Sequence, residues 1–142
     1  MSGSGTEVPL PDRFKEVQNT RARVVCRVPR FQSNSKSLLK RLHWLPIAER
    51  IQVKIGLLTF KALKNHQPLY LHDLLTPKMP TRSTRSSSKY CSLVEPRMDS
   101  ENARRSFAYT APRLWNALPE DLKKCSCVKT LCRKLKTLLF PK

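Results

Sequence analysis

Lysine and arginine occur in every part of this sequence, and several stand next to a ring. Arg30 adjoins Phe31, Arg41 is near Trp44, Lys89 adjoins Tyr90, Arg105 is near Phe107, and Arg113 is near Trp115. That pairing suits nucleic acid, because Lys and Arg contact phosphates while aromatic rings stack on unpaired bases. The totals agree: 28 Lys and Arg against 10 Asp and Glu give a formal net charge of +18, more than solubility alone requires. RNA or DNA is therefore the first expected partner, bound non-specifically by charge. The candidate nucleic-acid contacts are Arg21, Arg23, Lys40, Arg41, Arg82, Arg85, Arg97, Arg104, Arg105 and Arg113. No motif for sequence-specific readout accompanies them. The rings have a competing duty in the core, above all Trp44, which stands at the entry to the longest helical pattern.

Other chemistry finds less support. Cys125, Cys127 and Cys132 lie close together, but the first two are separated by one residue and no histidine follows. A structural zinc site uses wider spacing and a second knuckle, so neither a metal nor another cofactor is expected. The acidic residues are scattered, with no pair placed to hold two metal ions. There is no glycine-rich phosphate loop and no nucleophile in a recognisable setting. An autonomous enzyme is not expected. An odd cysteine count of 5 argues against a complete disulfide framework and for a reducing compartment, nucleus or cytoplasm. No apolar run nears the roughly 20 residues of a membrane span, and the first residues lack the pattern of a signal peptide. No membrane partner is expected.

The elements that must position these residues read as mainly α. The 142 residues suffice for one modest domain, and 39% hydrophobic content predicts a small core. The pattern predicts a small irregular helical domain with a disordered basic loop. Residues 1–11 read as a flexible leader. Residues 12–75 read as a helical segment, residues 76–89 as a basic Ser/Thr/Pro-rich loop, and residues 90–142 as a short strand plus C-terminal helices. The longest helical period runs from Leu42 to Asn65, where Ile47, Ile51, Ile55, Leu58 and Ala62 share a face that Val53, Leu57 and Phe60 widen. Pro46 suits its start, and Gly56 suits close approach by a neighbour.

A first helix is expected from Asp12 to the stop at Pro29, with Phe14, Val17, Arg21, Val24 and Val28 near one face. A short basic helix over Ser37–His43 would turn Leu38, Leu39 and Leu42 inward. Pro68 to Leu75 reads as a docked helical turn, and Tyr90 to Pro96 as a short extended run. Pro112 predicts a kink or a division between two helices in the stretch Ser100–Asn116. Ser126 is the expected cap of a last helix striped by Val128, Leu131, Leu135, Leu138 and Leu139. The wide central face and this last stripe also suit contact with a protein partner.

Read together, several strings resemble the C-terminal region of non-LTR (LINE-type) retrotransposon reverse transcriptases, of the CR1/L2/Rex or jockey-like kind. They include Leu42-His43-Trp44-Leu45-Pro46, Phe60-Lys61-Ala62-Leu63, Asp73-Leu74-Leu75, Arg105-Ser106-Phe107 and Ala111-Pro112-Arg113-Leu114-Trp115-Asn116. The likeness runs in order over about nine tenths of the chain. Two places depart from it: Asn34-Ser35-Lys36-Ser37 and Ala103-Arg104-Arg105-Ser106-Phe107. The resemblance implies descent from an RNA-directed DNA polymerase of a transposable element. The polymerase carboxylates of that family lie upstream of this region, so no catalytic residue carries over. What it implies for this fragment is a basic, mostly helical, non-catalytic element that binds template or target nucleic acid. The alternatives are a protein-interaction module or a transposon relic without selected function.

Overall fold

The computed structural model describes residues 12–79 and 92–140. The expected leader and disordered loop fall largely outside these residues. The described chain is mainly α-helical, as the periodicity predicts. In order it forms α1 (Asp12–Cys26), α2 (Ser35–Arg41), α3 (Ile47–Asn65), α4 (Leu69–His72), α5 (Glu101–Arg104), α6 (Phe107–Ala117), α7 (Glu120–Lys123) and α8 (Val128–Leu139).

α3 is the axis of the main core. Pro46 directly precedes it and receives the Arg50 N–H at 3.0 Å, so the proline removes no helical donor. Val53, Gly56, Thr59, Phe60 and Ala62 are its buried residues, and α6 and α8 both pack against it. Gly56 faces both of them. A Cβ there would lie 3.2 Å from Leu135 Cδ1 and 3.6 Å from Leu114 Cδ2, so the missing side chain lets two helices close on the third. One turn on, the Phe60 and Trp115 rings meet with centroids 6.5 Å apart. The buried Thr59 hydroxyl donates to the Ile55 carbonyl at 2.8 Å, which removes the cost of an unsatisfied polar group in the core. Leu71, Leu75, Leu93, Leu122, Leu131 and Leu135 complete this cluster.

Among the described residues, the segment expected as a strand forms one antiparallel bridge, Pro77 to Leu93. Asn116 explains why pairing goes no further on its other side. Its side chain accepts from the Leu93 N–H and donates to the Leu93 carbonyl, both at 2.9 Å, as a neighbouring strand would. Helix boundaries also differ from expectation: α2 runs Ser35–Arg41 rather than Ser37–His43. The division in the stretch Ser100–Asn116 falls at Arg105 and Ser106, while Pro112 sits buried inside an unbroken α6. Extended Ser106 starts the new helix, and its carbonyl receives the Thr110 hydroxyl at 2.8 Å. The cap of α8 is Cys127, one residue beyond Ser126.

α1 and α2 form a smaller cluster, in which Ala22, Leu38 and Leu39 are buried and Cys26, Val28, Leu42 and Trp44 pack around them. The expected inward face of α1 is corrected here: Phe14, Val17, Arg21 and Val24 are exposed, Val28 packs on the cluster, and Gln18 and Ala22 are the buried pair. Fit outweighs hydrophobicity at this contact. Ala22 is small enough to let α2 approach, and Gln18 Nε2 donates to the Leu45 carbonyl at 2.9 Å. Asn34 caps α2 by accepting the Lys36 N–H at 3.2 Å.

Both helices of this cluster end alike. Val28 N–H reaches the Arg23 carbonyl at 3.1 Å and Arg27 N–H the Val24 carbonyl at 3.2 Å. In α2 the equivalent bonds run from Trp44 to Leu39, 2.8 Å, and from His43 to Lys40, 3.0 Å. Each pair closes a helix through one left-handed residue, a place that favours glycine. Here those residues are Arg27, φ 52°, and His43, φ 53°. A side chain in this conformation costs on the order of 1 kcal/mol.

Candidate nucleic-acid interface

The ten predicted contact residues fall into groups. Arg21 and Arg23 lie on α1, and Lys40 and Arg41 occupy the last turn of α2, which packs on α1. Arg97 precedes α5, Arg104 and Arg105 end it, and Arg113 lies on α6, which packs on α5. Arg82 and Arg85 lie outside the described residues.

In the α5–α6 group Arg97 and Arg105 are exposed, while Arg104 and Arg113 have polar partners. Arg104 is 3.7 Å from Glu101 and donates to the Met98 carbonyl. Arg113 donates to the Tyr109 hydroxyl at 2.8 Å and lies 5.2 Å from the centre of that ring. In the α1–α2 group, Arg21, Lys40 and Arg41 are exposed. Arg23 is anchored without being neutralised, because its Nη2 donates to Ser35 Oγ at 3.0 Å and ties α1 to the first turn of α2. Sequence explains the contrast. Between residues 17 and 48 there is no Asp or Glu at all.

The same acid-free run holds residues that the candidate set omits. Arg27 and Arg30 join Arg23, Val28 and Pro29 in lining an open groove of about 510 Å³ at the end of α1. The legible signal was the spacing of Arg23, Arg27 and Arg30, four and then three residues apart, in a stretch with no counter-charge. A second acid-free run from Leu122 onward supplies α8, whose outer side carries Lys129, Arg133, Lys134 and Lys136. The His43 and Phe140 rings, 6.2 Å apart, bring the end of α8 beside the end of α2. Lys123 is less available than these. It donates to the Asn116 carbonyl at 3.1 Å, and burial lowers its pKa, partly offset by Glu120.

The rings divide as well. Trp115 and Phe107 belong to the main core, and Trp44 packs on the smaller cluster. Phe31 is the opposite case, 99% exposed beside Arg30. Tyr90 lies outside the described residues.

Among the described residues no three His, Cys, Asp or Glu side chains gather where they could hold a metal ion. Cys125 is buried and Cys132 packs against the core. Cys127 is exposed at the start of α8, where the backbone N–H of Lys129, then that of Thr130, favours the thiolate and lowers its pKa. No described helix is long and apolar enough to cross a membrane. No protein family, curated protein or solved structure matches the chain in comparisons with known proteins.

Proposed function

We propose that this chain is a non-catalytic nucleic-acid-binding element, descended from the C-terminal region of a retrotransposon reverse transcriptase and acting in the nucleus or cytoplasm. It binds RNA or DNA without sequence preference, through phosphate contacts. The observation that carries this reading is the α1–α2 lobe, where exposed Arg and Lys side chains stand in a run of sequence without a carboxylate. A compact lobe with so little opposing charge repels itself and gains from a polyanion that neutralises it. The family strings support the descent, and they include no polymerase carboxylates.

The test is fluorescence anisotropy of labelled RNA, single-stranded DNA and duplex DNA. Binding at 50 mM salt should weaken on the order of a hundredfold or more by 200 mM, as expected when several phosphates are contacted. Salt-insensitive binding, or no binding at 50 mM, contradicts the reading. Primer extension on an RNA template should yield no product.

One observation favours a second reading, a protein-interaction module. Phe14, Val17, Val24 and Val25 leave apolar surface exposed along α1. A strictly monomeric chain that binds no apolar dye would count against it.

A further inference from the structure

The backbone at the end of α1 and the side chains around it point the same way. Arg27 occupies the left-handed position of the helix end, φ 52°, where glycine is the favoured residue. The helix dipole favours a basic residue at this end, Arg23 in the last turn and Arg27 just beyond it, but the left-handed backbone at Arg27 disfavours any side chain. Arg27 lines the groove together with Arg23 and Arg30. Among the described residues none of the three guanidinium groups is ion-paired with a carboxylate. Arg23 is held in place by Ser35, while its Nε has no hydrogen-bond partner among the described residues. The adjoining Phe31 holds its ring in solvent.

We propose that this groove is a phosphate notch for single-stranded nucleic acid, in which Arg23, Arg27 and Arg30 grip the backbone and Phe31 stacks on a neighbouring unpaired base. This assignment rests on the function proposed above and locates it. The guanidinium fork matches phosphate oxygens, and three such forks without a counter-charge form a site that an anion relieves. The ring decides between single strand and duplex. An aromatic side chain standing free beside a cationic groove stacks on bases that are already unpaired, and a duplex offers none except at its ends. The phosphodiester chain also supplies what the neighbouring basic helix α2 needs, a line of charges longer than one groove. A free phosphate ion would fill the notch and leave Phe31 idle.

The test uses the full chain, a fluorescein-labelled uridine oligonucleotide and a duplex of equal length. Arg27→Gly removes one charge and also relieves the strained backbone. It should weaken oligonucleotide binding about fivefold near 0.1 M salt and reduce the salt slope by about one. The same variant should melt roughly 3 °C higher, so lost affinity cannot be ascribed to unfolding. Phe31→Ala should cost the single strand about tenfold and leave duplex affinity unchanged. Lys61→Gln, an exposed charge on α3 away from the groove, serves as the charge-matched control and should cost less than Arg27→Gly.

Equal losses for Arg27→Gly and Lys61→Gln would overturn the notch while leaving general electrostatic binding intact. So would equal effects of Phe31→Ala on single strand and duplex. If the unaltered chain binds neither nucleic acid at 50 mM salt, the broader function and the notch fail together. Binding to vesicles rich in phosphatidylserine but not to the oligonucleotide also overturns the proposal.

Discussion

The molecule has two clusters built on different terms. Around α3, helices α4, α6, α7 and α8 bury Phe60, Trp115, Leu131 and Leu135 in one continuous core. Around α1 and α2, three buried side chains do the same work, and one of them is alanine. The large cluster is stabilised by apolar area, at roughly 25 cal/mol for each Å² removed from water. The small one relies on close fit and placed hydrogen bonds: Gln18 to Leu45, Arg23 to Ser35, Lys36 to Asn34. It also concentrates unpaired cationic side chains and leaves apolar rings in solvent. The lesson is a division of labour, in which the core supplies stability and the small lobe presents groups that stability alone would not select.

That division can be broken at the core. Phe60→Ala should cost about 3–5 kcal/mol, the usual penalty for emptying an aromatic site in a packed interior. Urea denaturation should show a much earlier transition, and Trp115 fluorescence should report it, because the two rings touch. A loss under 1 kcal/mol would mean the two helices are not held by this contact.

A cut in the small lobe should behave differently. Leu39→Ala should cost roughly 2–3 kcal/mol, near the low end for a buried leucine. The effect should be local, with faster amide exchange in α1 and α2 while α3 and α6 keep their protection. Equal acceleration throughout would show one cooperative unit and erase the distinction. A finer cut is Asn34→Ala, which removes the cap of α2 and should lower stability by about 1 kcal/mol in the same denaturation assay.

The smallest effect concerns Cys127, on the core side. The Lys129 and Thr130 N–H groups lower its thiol pKa, so the thiolate should persist to lower pH than in an unstructured cysteine peptide. Iodoacetamide labelling followed by mass spectrometry across pH should find Cys127 reacting in that lower range. Unfolding in urea should return it to the ordinary thiol range. Identical pH profiles before and after unfolding would remove the helix start as the cause.

These contrasts explain how much of the chain was legible beforehand. α3 was readable because a strong apolar period and a leading proline agree. Leu38 and Leu39 of α2, and Leu131 and Leu135 of α8, were readable for the same reason. The buried side of α1 was not, because the rule that places Phe and Val inside presumes a partner on that side. The actual contact is with α2 and Leu45, where Ala22 and Gln18 fit. The extended run around Leu93 was readable, but its partners were not: Pro77 bridges it on one side, and a side chain, Asn116, twenty-three residues on, holds the other. Pro112 suggested a break that Ser106 makes instead. Of the proposed interface, charge and residue type pick out Arg21, Arg23, Lys40 and Arg41. The groove that gathers Arg23, Arg27 and Arg30 depends on how α1 ends, and a non-glycine left-handed residue leaves no mark in a helical period.

The most direct test of this account is an amide-exchange footprint of the full chain with and without the uridine oligonucleotide at 50 mM salt. The account predicts new protection over residues 23–31 and along α2, with α3 and α6 unchanged. Protection confined to α5 and α6, with none over residues 23–31, would contradict it and return the interface to the opposite side of the sequence.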